Sequence, residues 1–322
     1  MPTTLPPGRR ARVLVPATSA NLGPAFDAAG LALGLHDEVV LTVTDGRDLD
    51  FDVTGEGAAE VARDETHLVA RAVDAALARL GVERPGLHLS CRNRIPHARG
   101  LGSSAAAIVA GVLGARELVP GGVQALPLPA VLDLVCELEG HPDNVAAALL
   151  GGFTLAWTGG PPVLGGTAGD GAVVVTGERV SVLRLTPVPQ LRPVVLVPTA
   201  TSSTHAARGE LPDTVAHADA ATAAGRGALL AAAMTVAPVV MLPATHDVLH
   251  QPHRAGLMPE TAALVADLRD RGLAAVVSGA GPSVLVLAVD DDQVRATTEA
   301  APAGWSAHAL AVAAGASAEL VG

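Results

Sequence analysis

Glycines, hydroxyls and an arginine crowd one short stretch of the chain, Pro96-His97-Ala98-Arg99-Gly100-Leu101-Gly102-Ser103-Ser104-Ala105-Ala106-Ala107. The alanine-rich run that follows reads as a helix from about Ser104 to Leu118, with Ser103 or Ser104 near its N-cap. A helix start leaves unpaired N–H groups and the positive end of a dipole, and both attract phosphate. Glycines let the backbone close around an anion without Cβ clashes. A serine at the lip can also ligate a magnesium ion. The pattern points to nucleotide phosphate binding. A tight strand-to-helix turn is the plainer reading, but the long run is far more specific than a bare Gly-x-Gly.

Three more segments concentrate polar and glycine residues in an otherwise apolar chain. In Pro16-Ala17-Thr18-Ser19-Ala20-Asn21-Leu22-Gly23-Pro24-Ala25-Phe26-Asp27, Asn21 can donate and accept hydrogen bonds and Asp27 can receive an ammonium group. Taken alone, this reads first as a turn held by Asn and Asp side chains. In Glu139-Gly140-His141-Pro142-Asp143-Asn144, a break between helices carries two carboxylates, an imidazole and an amide. Glu139 could ligate Mg²⁺ opposite Ser104, since magnesium takes hard oxygen ligands. His141 could orient a substrate; a solvated capping turn is the alternative. Ser278-Gly279-Ala280-Gly281-Pro282-Ser283 lies between two apolar strands, where its glycines allow close backbone approach. Arg208 and Arg254 each offer a fork suited to a carboxylate, or serve as a surface charge or a salt-bridge partner. His250 and His253 fit no metal pattern and read as structural.

Every basic residue is arginine; the chain has no lysine. That excludes a Walker-type NTPase, which needs a lysine on its phosphates, and disfavours protein kinases and Schiff-base enzymes. A GC-rich genome explains the bias without weakening these exclusions. The net charge of −11 over 322 residues argues against a nucleic-acid partner. With 49% hydrophobic and 2% aromatic residues, the core must be aliphatic. Cys91 and Cys136 form no Cys-x-x-Cys, so reduced thiols in a cytoplasmic protein are expected. No signal peptide or membrane span is expected; the longest apolar stretch, Ala228 to Leu242, falls short of the roughly 20 residues a span needs.

The elements that must position these groups follow from periodicity. Strands are predicted at Arg12–Val15, Val39–Thr44, Leu49–Thr54, Leu87–Cys91 and Phe153–Trp157. Helices are predicted at Thr66–Leu80, Ser104–Leu118, Pro129–Glu139 and Asn144–Leu150. The Gly/Pro-rich stretch from Gly159 to Gly171 marks a domain boundary, giving domains 1–160 and 161–322. Beyond it come strands at Ala172–Val175, Val180–Leu185 and Pro193–Val197, then helices at 213–224, 226–234 and Pro259–Arg271. Strands at Ala274–Val277 and Val284–Val289, a helix at Asp291–Ala300 and a last strand at Ala307–Val312 finish the chain. Without strict β-α-β alternation, the class is α+β.

Taken in order, Pro16 to Asp27, Gly100 to Ala106, Glu139 to Asn144, Leu249-His250-Gln251-Pro252 with Arg254, and Ser278 to Ser283 resemble the GHMP family of small-molecule kinases. Within it they are most similar to the homoserine kinases. The glycine block is common to the family; the Asn-Leu-Gly-Pro-x-Phe-Asp and Leu-His-Gln-Pro blocks narrow it. Ala25 stands where the family usually has glycine, and His253 where an aromatic is commoner.

The resemblance implies a two-domain GHMP kinase fold, with a left-handed βαβ unit in the N-terminal domain, a ferredoxin-like C-terminal domain and the active site between them. It implies an ATP-dependent phosphotransferase making O-phospho-L-homoserine for threonine biosynthesis. Other acceptors within the family (threonine, shikimate or a mevalonate-type alcohol) and a non-catalytic nucleotide-binding regulator are the alternatives. Pro96, Arg99, Gly100, Leu101, Gly102, Ser103, Ser104, Ala105 and Ala106 would hold ATP. Ser104 and Glu139 would hold Mg²⁺. Asn21, Asp27, His141, Asn144, Thr204, Arg208 and Arg254 would hold the amino acid. Asn144 occupies the place where other members carry a catalytic aspartate, so Asn144, Ser104 and Glu139 would act by positioning and electrostatics, without a carboxylate base. Homodimerisation is expected on family likeness alone.

Overall fold

The computed structural model describes residues 5–159, 169 and 171–322. Most of the Gly/Pro-rich stretch read as a domain boundary lies outside these residues. The first half runs β1 (Arg10–Ala20), β2 (Ala29–Thr44), β3 (Leu49–Gly55), α1 (Leu68–Arg79), β4 (Gly86–Asn93), α2 (Ser103–Leu118), α3 (Gly122–Ala125), α4 (Leu128–Glu139), α5 (Pro142–Leu150) and β5 (Phe153–Thr158). The second runs β6 (Val173–Thr176), β7 (Val180–Leu185), β8 (Arg192–Val197), α6 (Thr204–Gly209), α7 (His217–Thr235), α8 (Met241–Ala244), α9 (Gln251–Arg254), α10 (Pro259–Asp270), β9 (Ala275–Val277), β10 (Val284–Ala288), α11 (Asp291–Glu299), β11 (Ser306–Ala309) and β12 (Ser317–Val321).

The larger sheet has eight strands, with the path β12-β1-β2-β5-β7-β6 and with β4 and β3 extending from β2. In β1, Ala11, Val13 and Val15 face inward while Arg10 and Arg12 do not, the period-2 alternation of a half-buried strand. The β1–β2 register shifts between Pro16 and Ala17. Proline cannot donate to a ladder, so a bulge here suits the sequence and bends the chain toward the loop that follows. β3 and β4 pair in parallel across α1, a βαβ unit. The buried faces of α1, α2, α4 and α5 join one aliphatic core with this sheet.

The smaller sheet is antiparallel, in the order β11-β8-β10-β9. With α6 to α10 between β8 and β9, and α11 between β10 and β11, this is the split βαβ order of a ferredoxin-like domain. Val194, Leu196, Val284 and Val286 pack there against Leu264 and Leu268 of α10.

Four sequence expectations need revision. The larger sheet draws strands from both sides of residue 160: β6 and β7 extend it from β5, and β12 pairs with β1 (Leu14 opposite Ser317). β12 went unread because Ser317-Ala318-Glu319-Leu320-Val321 is short and lies largely exposed. The expected helices 213–224 and 226–234 are one helix, α7. Gly225 and Gly227 sit inside it at ordinary helical φ, each costing about 1 kcal/mol that the surrounding alanines offset. The N-cap of α2 is Gly102, in the left-handed conformation with φ 69°, and not a serine.

Candidate active site

The loops between the two sheets enclose a polar cavity of about 280 Å³. Asn21, Asp27, Gly100, Gly102, Ser103, Ser104, Glu139, His141, Asn144, Arg208 and Arg254 all reach it. Phe26, Asp143, Gly279 and Ala280 line it as well.

The glycine loop is shaped by its neighbours. A Cβ on Gly102 would collide with Thr18 Oγ1, and one on Gly100 with the carbonyl of Ser278. Both residues also have positive φ, so glycine is required twice over. Thr18 N donates to Leu101 O at 3.0 Å, and Ser278 Oγ donates to Gly100 O at 2.7 Å. The loop is thereby fastened to both sheets, and the first N–H groups of α2 are left facing the cavity without a side-chain cap. Pro96 and Arg99 do not line it. The Arg99 guanidinium is taken by three main-chain carbonyls, Pro198, Thr199 and His97. It staples the loop to the strand end after β8.

At the floor, α4 ends at Glu139, Gly140 turns the chain with φ 91°, and Pro142 opens α5. This tight break brings Glu139, His141, Asp143 and Asn144 to one place. Ser104 Oγ donates to Glu139 Oε1 at 2.6 Å. Burial raises the Glu139 pKa, and the Ser104 hydrogen bond opposes the rise. His141 Nδ1 lies 2.8 Å from Asp143 Oδ1, and this hydrogen bond lifts the imidazole above its ordinary range. Asp143 is buried and also accepts from Asn144 N at 2.7 Å. Asn144 Oδ1 in turn accepts from Thr18 Oγ1 at 2.8 Å.

On the opposite wall, Asn21, Leu22 and Asp27 adopt positive φ. Asn21 is buried and fixes its own loop: its Oδ1 accepts from Asp27 N at 2.9 Å and its Nδ2 donates to Gly279 O at 3.0 Å. Asp27 and Arg208 form a two-point ion pair at 2.6 and 3.0 Å. Arg254 is only 2% exposed; its Nε donates to Ala207 O at 2.9 Å. The guanidinium carbons of Arg208 and Arg254 lie 5.5 and 5.3 Å from the centre of the Phe26 ring. Thr204 opens α6, and its side chain lies outside what the structure describes.

A second cavity, about 380 Å³ and mainly apolar, meets the first at Ala98, Ser103 and Ser104. Val39, Val61, Leu68, Val69 and Cys91 line it, with Asp37, Asn93, His67 and His97 among its polar groups. Asp37 accepts from the N–H groups of Arg94 and Ile95, yet burial pushes its pKa up to about 6.

Residues 67–152 match the model for the GHMP kinases N terminal domain, and 220–307 that for the GHMP kinases C terminal domain. A homoserine kinase of Streptomyces avermitilis is 50% identical over 94% of this chain and 92% of its own length. The chain belongs to the homoserine kinase family of GHMP kinases. A homoserine kinase of Clavibacter michiganensis is 48% identical over 97% of this chain and 94% of its own. The crystal structure of homoserine kinase from Cytophaga hutchinsonii has the same fold, with a TM-score of 0.77 over 99% of both chains at 24% identity.

Against this family's fold, the sequence reading overlooked three contributors. Phe26, in sequence only one member of a motif, lies beneath both arginines. Asp143 had no assigned role, although it is the partner of both His141 and Asn144. His250, which reads as structural from sequence, touches Arg254. Contacts of this kind carry no local sequence signal.

Proposed function

We propose that the chain is an ATP:L-homoserine phosphotransferase. The observation that carries this reading is the polar cavity itself, where one carboxylate and two arginines gather around Phe26 beside an uncapped helix start. Homoserine is a zwitterion. Asp27 suits its ammonium group, and Arg208 with Arg254 suits its carboxylate. Asp27 and Arg208 now satisfy each other, so a bound zwitterion would exchange one ion pair for two, its carboxylate being shared between Arg208 and Arg254.

ATP fits the pair of joined cavities. Its base and ribose suit the apolar cavity, and its phosphates suit the N–H groups at Gly100 to Ala105 where the two meet; the Ala106 N–H is already taken by Gly102 O at 2.9 Å. The net transfer forms a bond from the homoserine hydroxyl oxygen to the γ-phosphorus, breaks the bond to ADP and releases the hydroxyl proton. Asn144, held by Thr18 and Asp143, would orient that hydroxyl. His141 is fixed by Asp143 along the same wall. No carboxylate is assigned as base; the catalytic contribution is alignment and electrostatic stabilisation.

Ser104 and Glu139 fit Mg²⁺, for they present two hard oxygens 2.6 Å apart at the phosphate end of the cavity. Magnesium there would neutralise phosphate charge as it develops. The buried, free thiols of Cys91 and Cys136 suit a reducing cytoplasm. Among the described residues no helix is long and apolar enough to cross a membrane.

Incubation with ATP, Mg²⁺ and L-homoserine, followed by ³¹P NMR, tests the reading. A new phosphate monoester on the homoserine side chain, formed in step with ADP, is the expected result. ATP hydrolysis to inorganic phosphate alone would count against it.

A further inference from the structure

His250 sits just before α9, fully buried, with its ring 5.2 Å from that of Phe26. Its two nitrogens have partners of fixed character. Nε2 lies 2.9 Å from the carbonyl oxygen of Gly23, which can only accept, so Nε2 carries the proton. Nδ1 lies 3.1 Å from Nη1 of Arg254, which can only donate, so Nδ1 is bare. The neutral Nε2–H tautomer is the one form that satisfies both contacts.

These contacts tie three separate segments together. Gly23 belongs to the loop that presents Asn21 and Asp27. Arg254 belongs to α9. Through Nε, Arg254 also holds the carbonyl of Ala207, next to Arg208 on α6. Among the described residues Arg254 Nη2 makes no hydrogen bond and is left for a ligand. We infer that His250 is a positioning residue for the acceptor substrate: as a neutral imidazole it holds the Arg254 fork in register with the Asn21–Asp27 loop. This inference rests on the homoserine reading above.

A protonated His250 would turn Nδ1 into a donor against a guanidinium, so the link breaks on acidification. Asp247, whose Oδ2 is 3.4 Å from Nε2, faces the ring from its own turn, and Arg254 from α9. Asp27 and Arg208 lie across Phe26. Asp247 and Asp27 favour the imidazolium and Arg254 opposes it, but burial dominates and holds the pKa below the ordinary histidine range. The neutral form is therefore the resting form near neutrality.

The test is steady-state kinetics on the full chain, with wild type assayed first. His250→Phe keeps a ring against Phe26 and removes both hydrogen bonds. It is expected to raise the homoserine KM roughly 10- to 100-fold while the ATP KM moves less than about twofold. His250→Gln supplies an acceptor and a donor without a titrating group. It is expected to recover most of the affinity and to abolish the rise in homoserine KM that wild type shows as pH falls through the His250 pKa. An unchanged homoserine KM in His250→Phe, or parallel rises in both KM values, overturns the inference. If His250→Phe does not fold, the glutamine variant decides: an acid rise identical to that of wild type overturns it. Failure of wild type to phosphorylate homoserine would instead contradict the functional reading, so the two failures are distinguishable.

Discussion

Asp27 and Arg208 neutralise each other in a cleft where each side chain is about one-third exposed. Such a pair contributes only about 0–1 kcal/mol in water-accessible surroundings. A zwitterionic ligand can therefore part them at small cost. Arg254 differs, being buried and held by Ala207 and His250 before any ligand arrives. Arg254→Ala is expected to raise the homoserine KM by roughly 10- to 100-fold, since a charge-assisted hydrogen bond is worth about 1.5–3 kcal/mol. The ATP KM should barely change; equal effects on both would remove Arg254 from the acceptor site. Glu139→Gln keeps the shape but lowers the charge next to Ser104. It should shift the Mg²⁺ dependence of turnover to higher concentration, and an unchanged titration would count against a metal role. Asp37 carries a pH signature. Its pKa is raised to about 6 from 3.8, so folding favours its protonated form. The stability it contributes is complete below the unfolded pKa and is lost as pH rises from about 4 through about 6, on the order of 3 kcal/mol. Urea unfolding should show Asp37→Asn lacking this loss, because an amide oxygen can still accept from Arg94 and Ile95. Parallel pH profiles for the two proteins would refute the assignment.

At the scale of elements, the glycine loop before α2 depends on two glycines with no room and the wrong φ for anything else. Gly102→Ala is expected to weaken ATP binding at least about tenfold in calorimetry, since Thr18 and the start of α2 must both give way. Retained ATP affinity would mean the α2 start is not the phosphate site. This loop was legible in the sequence because its chemistry is local: glycines, hydroxyls and a helix-forming run are contiguous. So was the Glu139-to-Asn144 break, where Gly140 and Pro142 mark the helix ends. Features defined by distant partners were not legible. Arg99 sits beside the glycines in sequence, but carbonyls after β8 claim its side chain. β12 exists because β1 offers it an edge. α7 runs through Gly225 and Gly227 because neither needs a positive φ there, so a residue type that often ends helices does not end this one.

At the scale of the whole molecule, the cavity is assembled from six stretches spread from residue 21 to residue 280. Loops of the larger sheet supply Asn21, Asp27 and the amides at the start of α2. The smaller sheet's helices supply Arg208 and Arg254, and its β9–β10 turn supplies Gly279. Cross-links such as Asn21 to Gly279 and Ser278 to Gly100 set their spacing. The division of labour predicts a substrate with opposite charges at one end and a hydroxyl at the other. The direct test is ADP release with L-homoserine, L-threonine, 4-hydroxybutyrate and 3-aminopropanol compared side by side. Homoserine should exceed each single-charge analogue in kcat/KM by at least about 10²-fold, because each analogue leaves one member of the parted ion pair uncompensated. Comparable turnover of an analogue lacking either charge, or no ADP release with homoserine, would contradict the account.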